Sequence, residues 1–197
     1  IGTKSKLSCI SRPRRFGKSF AAQMLCAYYD CSCDSHEIFD NRDIAKTDGY
    51  LEHLNQYHVI NLDITGFISE TKRSRGSLAD IPDKIVAAIH GELKDLFPEI
   101  PAGGSLAADM VYCVETTGRK FVFIIDEWDA LIREAKNDAE TQKRYLNLLR
   151  KWFKSNSFTP KVVAAAYMTG ILPIKKDGSQ SAISDFTEYP ILDPSES

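Results

Sequence analysis

The most restrictive feature of this sequence is a run of apolar residues that ends in two carboxylates: residues 121–127 read F-V-F-I-I-D-E. Five consecutive apolar residues are typical of a strand that is buried on both faces of a parallel sheet, with a helical layer on each side. In open sheets of this kind, ligands bind beyond the carboxyl ends of the strands. The run therefore predicts an α/β fold and places Asp126 and Glu127 at the ligand-binding edge of the sheet.

A second segment, much earlier in the chain, has the pattern of a phosphate-binding loop. Residues 11–19 read S-R-P-R-R-F-G-K-S and lead into a helical pattern with apolar residues at every fourth position. In such a loop the backbone N–H groups surround the phosphates, the lysine reaches the outer phosphates, and the serine hydroxyl joins the Mg²⁺ shell. The positive end of the helix dipole also faces the phosphates. We assign these roles to Lys18 and Ser19.

Each segment has a plainer interpretation when it is taken alone. The usual loop has a glycine six positions before its lysine, whereas this chain has Arg12 there, so an arginine-rich surface turn is the alternative. For residues 121–127 the alternative is a buried strand that ends in a solvated acidic turn. The two segments occur together in the order of a nucleotide site, and this favours such a site. Asp126 then holds Mg²⁺, directly or through water, and Glu127 orients and deprotonates the attacking water.

A third apolar run supplies a further candidate residue. Residues 161–168 read K-V-V-A-A-A-Y-M and are followed by Thr169 and Gly170. In P-loop ATPases with a catalytic glutamate, the strand beside the acid-ended one often ends in a polar residue that senses the γ-phosphate. We therefore expect Thr169 to take part in catalysis. The alternative is a threonine that only closes a strand before a glycine turn.

The rest of the chain reads as strands that alternate with helices. We expect strands at residues 6–11 and 58–63, and helices from residue 18, at 83–97, from 106 to about 115, and at 139–154. The basic cluster at 71–76 reads as a solvated loop, with a nucleic-acid or partner contact as the alternative. This alternation predicts a mostly parallel sheet covered by helices on both faces. A length of 197 residues suits one domain, spanning 1–197.

Composition narrows the class of protein. Apolar residues make up 43% and charged residues 26%, as in an ordinary globular domain, and the net charge of −2 gives no overall nucleic-acid signature. No apolar stretch approaches the roughly 18 residues of a membrane-spanning helix. Five cysteines suggest free thiols in a reducing cytoplasm, with a metal site at Cys31 and Cys33 as the alternative. The chain does not begin with Met, so we expect a fragment of a longer protein.

Together these motifs resemble those of the bacterial AAA-ATPase-like family. Its members typically carry R-P-R-R-F-G-K-S/T, then I-D-E-Y-D, then T-G-V, and this chain has R-P-R-R-F-G-K-S, I-D-E-W-D and T-G-I in that order. The resemblance covers nearly the whole chain and makes Arg12 a normal loop residue, while Trp128 replaces the usual tyrosine. It implies a three-layer P-loop NTPase sandwich that binds ATP and Mg²⁺. The loop residues that it implies as nucleotide contacts are Arg14, Arg15, Phe16, Gly17, Lys18, Ser19 and Phe20.

The resemblance also implies an activity and a partner. We expect Mg²⁺-dependent ATP hydrolysis with Lys18, Glu127 and Thr169 as catalytic residues and Ser19 and Asp126 as metal ligands. Many members carry a C-terminal PD-(D/E)XK nuclease-like domain, so a fused or separate nuclease-like domain is the implied partner, although this chain stops before one. Oligomerisation and nucleic-acid binding stay open, and Arg14, Arg15, Arg133 or a neighbouring subunit could supply an arginine finger.

Two other function classes compete with the ATPase. One is a nucleotide-dependent switch or scaffold of low turnover that gates a partner domain, and the intact glutamate at position 127 argues against it. The other is a P-loop kinase that acts on a small molecule, although no arginine-rich lid is visible in the sequence. Phosphate transfer to an added acceptor would identify the kinase, and ATP-dependent partner binding without phosphate release would identify the switch.

Overall fold

The sheet consists of five strands. The computed structural model describes residues 6–12, 17–172 and 185–189. The strands are β1 (Leu7–Ser11), β2 (His58–Asp63), β3 (Phe121–Asp126), β4 (Val163–Gly170) and β5 (Thr187–Tyr189). They lie in the order β2-β3-β4-β1-β5, and every neighbouring pair is parallel.

Helices lie between consecutive strands from β1 to β4, as crossovers between parallel strands usually do. They are α1 (Lys18–Tyr29), α2 (His36–Phe39), α3 (Tyr50–His53), α4 (Ile64–Arg73), α5 (Ile81–Leu96), α6 (Leu106–Thr117), α7 (Ala130–Glu134), α8 (Ala139–Phe153) and α9 (Phe158–Val162). Single 3₁₀ turns occur at Asp43–Lys46 and Leu78–Asp80. The described part of the chain contains no helix that is both long and apolar enough to cross a membrane.

The side chains of β3 divide the core between the two faces of the sheet. Val122 and Ile124 pack with Ala22 of α1 on one face. Phe123 and Ile125 point to the opposite face, because successive side chains of a strand alternate, and there they join a larger core with residues of α4, α5, α6 and α8. The prediction of an α/β sandwich with helices on both faces is therefore confirmed.

Two local predictions were wrong. Residues 71–73 of the basic cluster, predicted to lie in a loop, are the last turn of α4 (Ile64–Arg73), a helix that the sequence analysis did not predict. The buried residues Ile64, Ile68 and Thr71 follow a helical period of three to four, which the polar residues and Gly66 between them conceal. The last long strand also starts later than expected, because α9 precedes it, and it includes Thr169 and Gly170.

The strand order determines which strand ends become neighbours. β4 lies between β1 and β3, with Ser11 opposite Gly170 and Ile125 opposite Met168. Because the strands are parallel, their carboxyl ends meet at one edge of the sheet. The phosphate-loop strand, the Thr169 strand and the acid-ended strand therefore converge there.

Candidate functional site

The start of α1 brings a buried lysine to this edge. Gly17 precedes the helix in the left-handed region, at φ 71°, which glycine adopts without strain. Lys18 is only 7% exposed despite its charge. Its ammonium donates a hydrogen bond to the Arg12 carbonyl at 2.8 Å and lies 3.9 Å from Oε1 of Glu127. The sequence-predicted lysine and glutamate therefore face each other, although they are far apart in the chain.

The other loop residues are only partly described. Ser19 is exposed in the first turn of α1, and Phe20 is 68% exposed. The predicted nucleotide contacts Arg14, Arg15 and Phe16 lie outside the described residues. Their roles stay predictions.

Thr169 connects β4 to the acidic end of β3. Its hydroxyl donates to Oδ1 of Asp126 and accepts a hydrogen bond from the backbone N–H of Glu127 at 3.1 Å. The side chain of Thr169 is fully buried. The threonine therefore holds both acidic residues in place, and it lies where the strand pattern placed it.

Glu127 has an unusual backbone and two cationic neighbours. Its φ is 53°, in the left-handed region that residues with a side chain seldom adopt. Such conformations cluster at functional sites, where the surrounding structure enforces them. Oε2 accepts a hydrogen bond from Nη2 of Arg133 at 2.7 Å, while Oε1 faces Lys18. The carboxylate therefore lies between the loop lysine and an arginine of α7.

A fully buried aspartate supports this arrangement. Asp129 has no exposed surface, and its Oδ2 accepts hydrogen bonds from Nε of Arg133 and the N–H of Leu172, both at 2.9 Å. Trp128, also buried, donates its backbone N–H to the Thr169 carbonyl at 2.8 Å. Main-chain and side-chain hydrogen bonds thus link the segment after β3 to the end of β4 and the residues that follow it.

The donor set at this edge suits Mg²⁺ better than a metal held entirely by protein. Asp126 offers a carboxylate at the end of β3, and Ser19 offers an exposed hydroxyl on α1. Among the residues with assigned positions there is no cluster of three or more His, Cys, Asp or Glu side chains that could hold a metal. Mg²⁺ usually takes one or two protein ligands and completes its shell with phosphate oxygens and water. Ser19 and Asp126 therefore offer oxygen donors of the kind that Mg²⁺ takes, and their assignment as its ligands stays a prediction.

Sequence reasoning missed the contacts that three residues make at this edge. Asp129 and Arg133 are described above, and Asp63, the last residue of β2, lies opposite Asp126 in register. The pattern H-V-I-N-L-D could have revealed Asp63, because it also ends a strand in an acid. Asp129 and Arg133 carry no comparable signal, since a salt bridge at i, i+4 is common on helix surfaces.

Comparison with known proteins addresses the family but not the individual residues. A family model described as "Predicted AAA-ATPase" matches residues 1–179. No curated protein and no solved structure matches the chain. The matched region contains the phosphate loop, the acid-ended strand and Thr169, and the all-parallel sheet is consistent with a P-loop NTPase sandwich. The chain belongs to the AAA-ATPase-like family.

Proposed function

We propose that this chain binds ATP together with Mg²⁺ and hydrolyses it. The observation that carries the proposal is the buried ammonium of Lys18, which lies 3.9 Å from the Glu127 carboxylate at the carboxyl edge of the sheet. Burying a charged lysine is unfavourable unless an anion or polar partner compensates it. A site that presents a lysine and a serine hydroxyl at the start of a helix, beside two carboxylates at the end of a strand, has the parts that phosphoryl transfer needs.

Each residue has a distinct role in the proposed reaction. Lys18 binds the outer phosphates, and the N–H groups of the loop, with Gly17 at the turn into α1, surround them. Ser19 and Asp126 hold the metal ion, which when bound neutralises charge on the phosphate oxygens. Glu127 orients the water in line with the leaving group and accepts its proton. Thr169 keeps Asp126 and Glu127 at the correct separation.

The remaining assignments extend this proposal to the whole chain. Arg14, Arg15, Phe16 and Phe20 complete the nucleotide contacts. Residues 1–197 act as one domain, coupled to a fused or separate partner such as a nuclease-like domain, in the cytoplasm. All five cysteines lie within the described residues, and none of them forms a disulfide there.

Calorimetric titration of Mg²⁺-ATP tests the proposal directly. We expect micromolar binding by the wild type and a loss of affinity of roughly 100-fold in Lys18→Ala, because the variant removes the charge that faces the outer phosphates. Glu127→Gln should keep the affinity but lower turnover by roughly 10²–10⁴-fold, the usual contribution of a general base. Phosphate release is measured on the same samples.

Lys84→Ala is the matched control for Lys18→Ala. Lys84 is also a partly buried lysine with a hydrogen bond, to Oγ1 of Thr71 at 3.0 Å, but it lies on α5. Its replacement should leave ATP affinity unchanged. Equal affinity in Lys18→Ala and the wild type would exclude this loop as the nucleotide site.

The second candidate function is a nucleotide-dependent switch of low turnover. The observation that favours it is the 2.7 Å ion pair between Arg133 and Glu127, which occupies one oxygen of the proposed base. A switch would bind Mg²⁺-ATP with the same dependence on Lys18 but would release no phosphate, with or without its partner. Glu127→Gln would then have no effect on any measured rate.

A further inference from the structure

We propose that Arg133 is a positioning residue that fixes the carboxylate of Glu127 toward the phosphate-binding loop. The inference rests on the proposed ATPase function, and it assigns to that site a residue outside the loop and outside the acid-ended strand. Arg133 belongs to α7, six residues after Glu127. It contacts the proposed base rather than the nucleotide.

The guanidinium group of Arg133 bridges two carboxylates. Nη2 donates to Oε2 of Glu127 at 2.7 Å, and Nε donates to Oδ2 of Asp129 at 2.9 Å. The arginine side chain is 23% exposed, and that of Asp129 is 0% exposed. Charge-assisted hydrogen bonds of this kind are stronger and more directional than neutral ones, and the planar guanidinium holds its two partners in a defined geometry. Arg133 therefore connects Glu127 to the buried carboxylate of Asp129.

The Asp129 carboxylate is itself held by backbone hydrogen bonds. Asp129 accepts hydrogen bonds from the backbone N–H groups of Ile171, at 3.3 Å, and Leu172, at 2.9 Å. Those residues directly follow β4, whose Thr169 holds the backbone N–H of Glu127. Glu127 is consequently restrained twice by the same strand end: at its backbone by Thr169 and at its carboxylate through Asp129 and Arg133.

This double restraint directs one carboxylate oxygen of Glu127 toward the loop. With Oε2 bound to Arg133, Oε1 points to Lys18. The ion pair with Arg133 restricts rotation of the carboxylate from this position. A base that is already oriented has less entropy to lose in the reaction, and a misplacement of about 1 Å can lower a rate by about 100-fold. The same contacts commit Arg133 to a role within the chain rather than to that of an arginine finger.

The test compares Arg133→Gln with the wild type in both ATP affinity and turnover. We expect kcat to fall by roughly 10–100-fold while the Kd for Mg²⁺-ATP stays within about threefold, because orientation of the base is lost and the phosphate contacts are kept. Arg133→Lys, which keeps the charge but can reach only one carboxylate, should recover part of the rate. Arg144→Gln is the matched control, because Arg144 also bridges an acid, Asp83, and a carbonyl, that of Ala79, but on α8. Its kcat should equal that of the wild type.

A double-mutant cycle separates positioning from a general structural effect. In a Glu127→Gln background, Arg133→Gln should cause no further loss of turnover, because no carboxylate is left to orient. A further loss as large as that in the wild-type background would overturn the proposal. A higher kcat in Arg133→Gln would also overturn the proposal. It would mean that the ion pair with Arg133 inhibits Glu127 as a base.

The stability of the same four proteins keeps this proposal distinct from the proposed function. Urea unfolding of the wild type, the two single variants and the double variant gives the coupling between positions 127 and 133 without nucleotide. Absence of coupling would overturn the positioning role even if ATP is hydrolysed. If the chain shows clear coupling but does not bind Mg²⁺-ATP, the proposed function is wrong, although Arg133 and Glu127 do interact.

Discussion

At Gly170 the backbone of β4 approaches the site so closely that a methyl group has no room. A Cβ atom built there would lie 2.7 Å from Nε1 of Trp128 and 2.8 Å from Oδ1 of Asp129. Both neighbours are buried and held by hydrogen bonds through their own backbone or carboxylate. The glycine at the end of β4 is therefore needed for space, and the tight approach lets Asp129 reach the N–H groups that follow the strand.

We predict that Gly170→Ala lowers the free energy of unfolding by about 1–3 kcal/mol, the usual effect of forcing extra atoms into a packed core. Urea denaturation measures the change. Gly91→Ala is the matched control, since Gly91 is exposed within α5 and a Cβ there meets nothing within 4 Å. That variant should gain up to about 1 kcal/mol, because alanine is the better helix former. Equal stability of the Gly170→Ala and wild-type proteins would contradict the close packing.

At the scale of single residues, the site shows which roles a motif can reveal. Lys18, Asp126, Glu127 and Thr169 were all named from strand ends and loop pattern, and the structure brings them together. Their chemical roles remain predictions. Arg133 was considered only as an arginine finger, because its contact with Glu127 depends on the left-handed backbone at that position. No pattern of residue types specifies that backbone conformation.

At the scale of elements, His58 at the start of β2 contacts the segment just after α1 and the end of α6. Nδ1 of His58 lies 3.5 Å from Sγ of Cys31, and Nε2 lies 2.9 Å from Oγ1 of Thr117. The Thr117 hydroxyl donates to the Cys113 carbonyl, so it accepts from Nε2–H, and Nδ1 is left to accept from the thiol. The contact with the thiol requires a neutral imidazole, because a protonated Nδ1 can no longer accept, whereas Nε2–H donates in either state.

Burial lowers the pKa of His58 below its usual 6.5, and the charge of Arg119 lowers it further. The unfolded chain therefore binds a proton at His58 at a higher pH than the folded chain does. The stability from the neutral imidazole is fully present above pH 6.5 and is lost as the pH falls through the folded pKa. The slope that one proton can cause is at most about 1.4 kcal/mol per pH unit.

We accordingly predict that the free energy of unfolding decreases as the pH falls below 6.5, and that His58→Gln flattens this part of the curve. Urea denaturation at each pH provides the measurement. The glutamine keeps a polar side chain of similar reach but does not titrate. A curve of the same slope in both proteins would assign the pH dependence to other groups.

Elements also differ in how well their pattern could be read. The strand at residues 58–63 agrees with β2 in both bounds, and β3 also ends at Asp126, because uninterrupted apolar runs have clear limits. The helix predicted at 83–97 is α5, shifted by one to two residues at its ends. By contrast, α4 is stabilised by packing against α5 and α7 rather than by its own composition, so its sequence looks like a loop.

At the scale of the whole molecule, the strands differ in how firmly they are held. β3 is paired on both sides by β2 and β4, and five of its six residues are buried. β5 is an edge strand of three residues, none of which is buried. Local opening requires least free energy where few buried contacts must be broken. The sheet should therefore open from the β5 edge.

Amide hydrogen exchange checks this prediction. The amides of β3 should exchange most slowly, through global unfolding, and those of Thr187–Tyr189 at least about 100-fold faster, through local opening. Mg²⁺-ATP, if bound as proposed, should slow exchange at the start of α1 more than in β5. Equal protection of β5 and β3 would show that the sheet unfolds as one unit.

The sequence by itself determined the local parts of this protein: which segments form β1 to β4, that β3 is buried on both faces, and that a lysine loop and two acids stand at strand ends. These properties follow from periodicity and from the direction of the chain, which act over a few residues. Only the tertiary structure decided that β4 lies between β1 and β3, that α4 is a helix, and that Arg133 and Asp129 restrain Glu127. The reason is physical. Strand order and buried ion pairs depend on contacts between residues distant in the chain, whose free energy is set by burial and geometry once the sheet has formed.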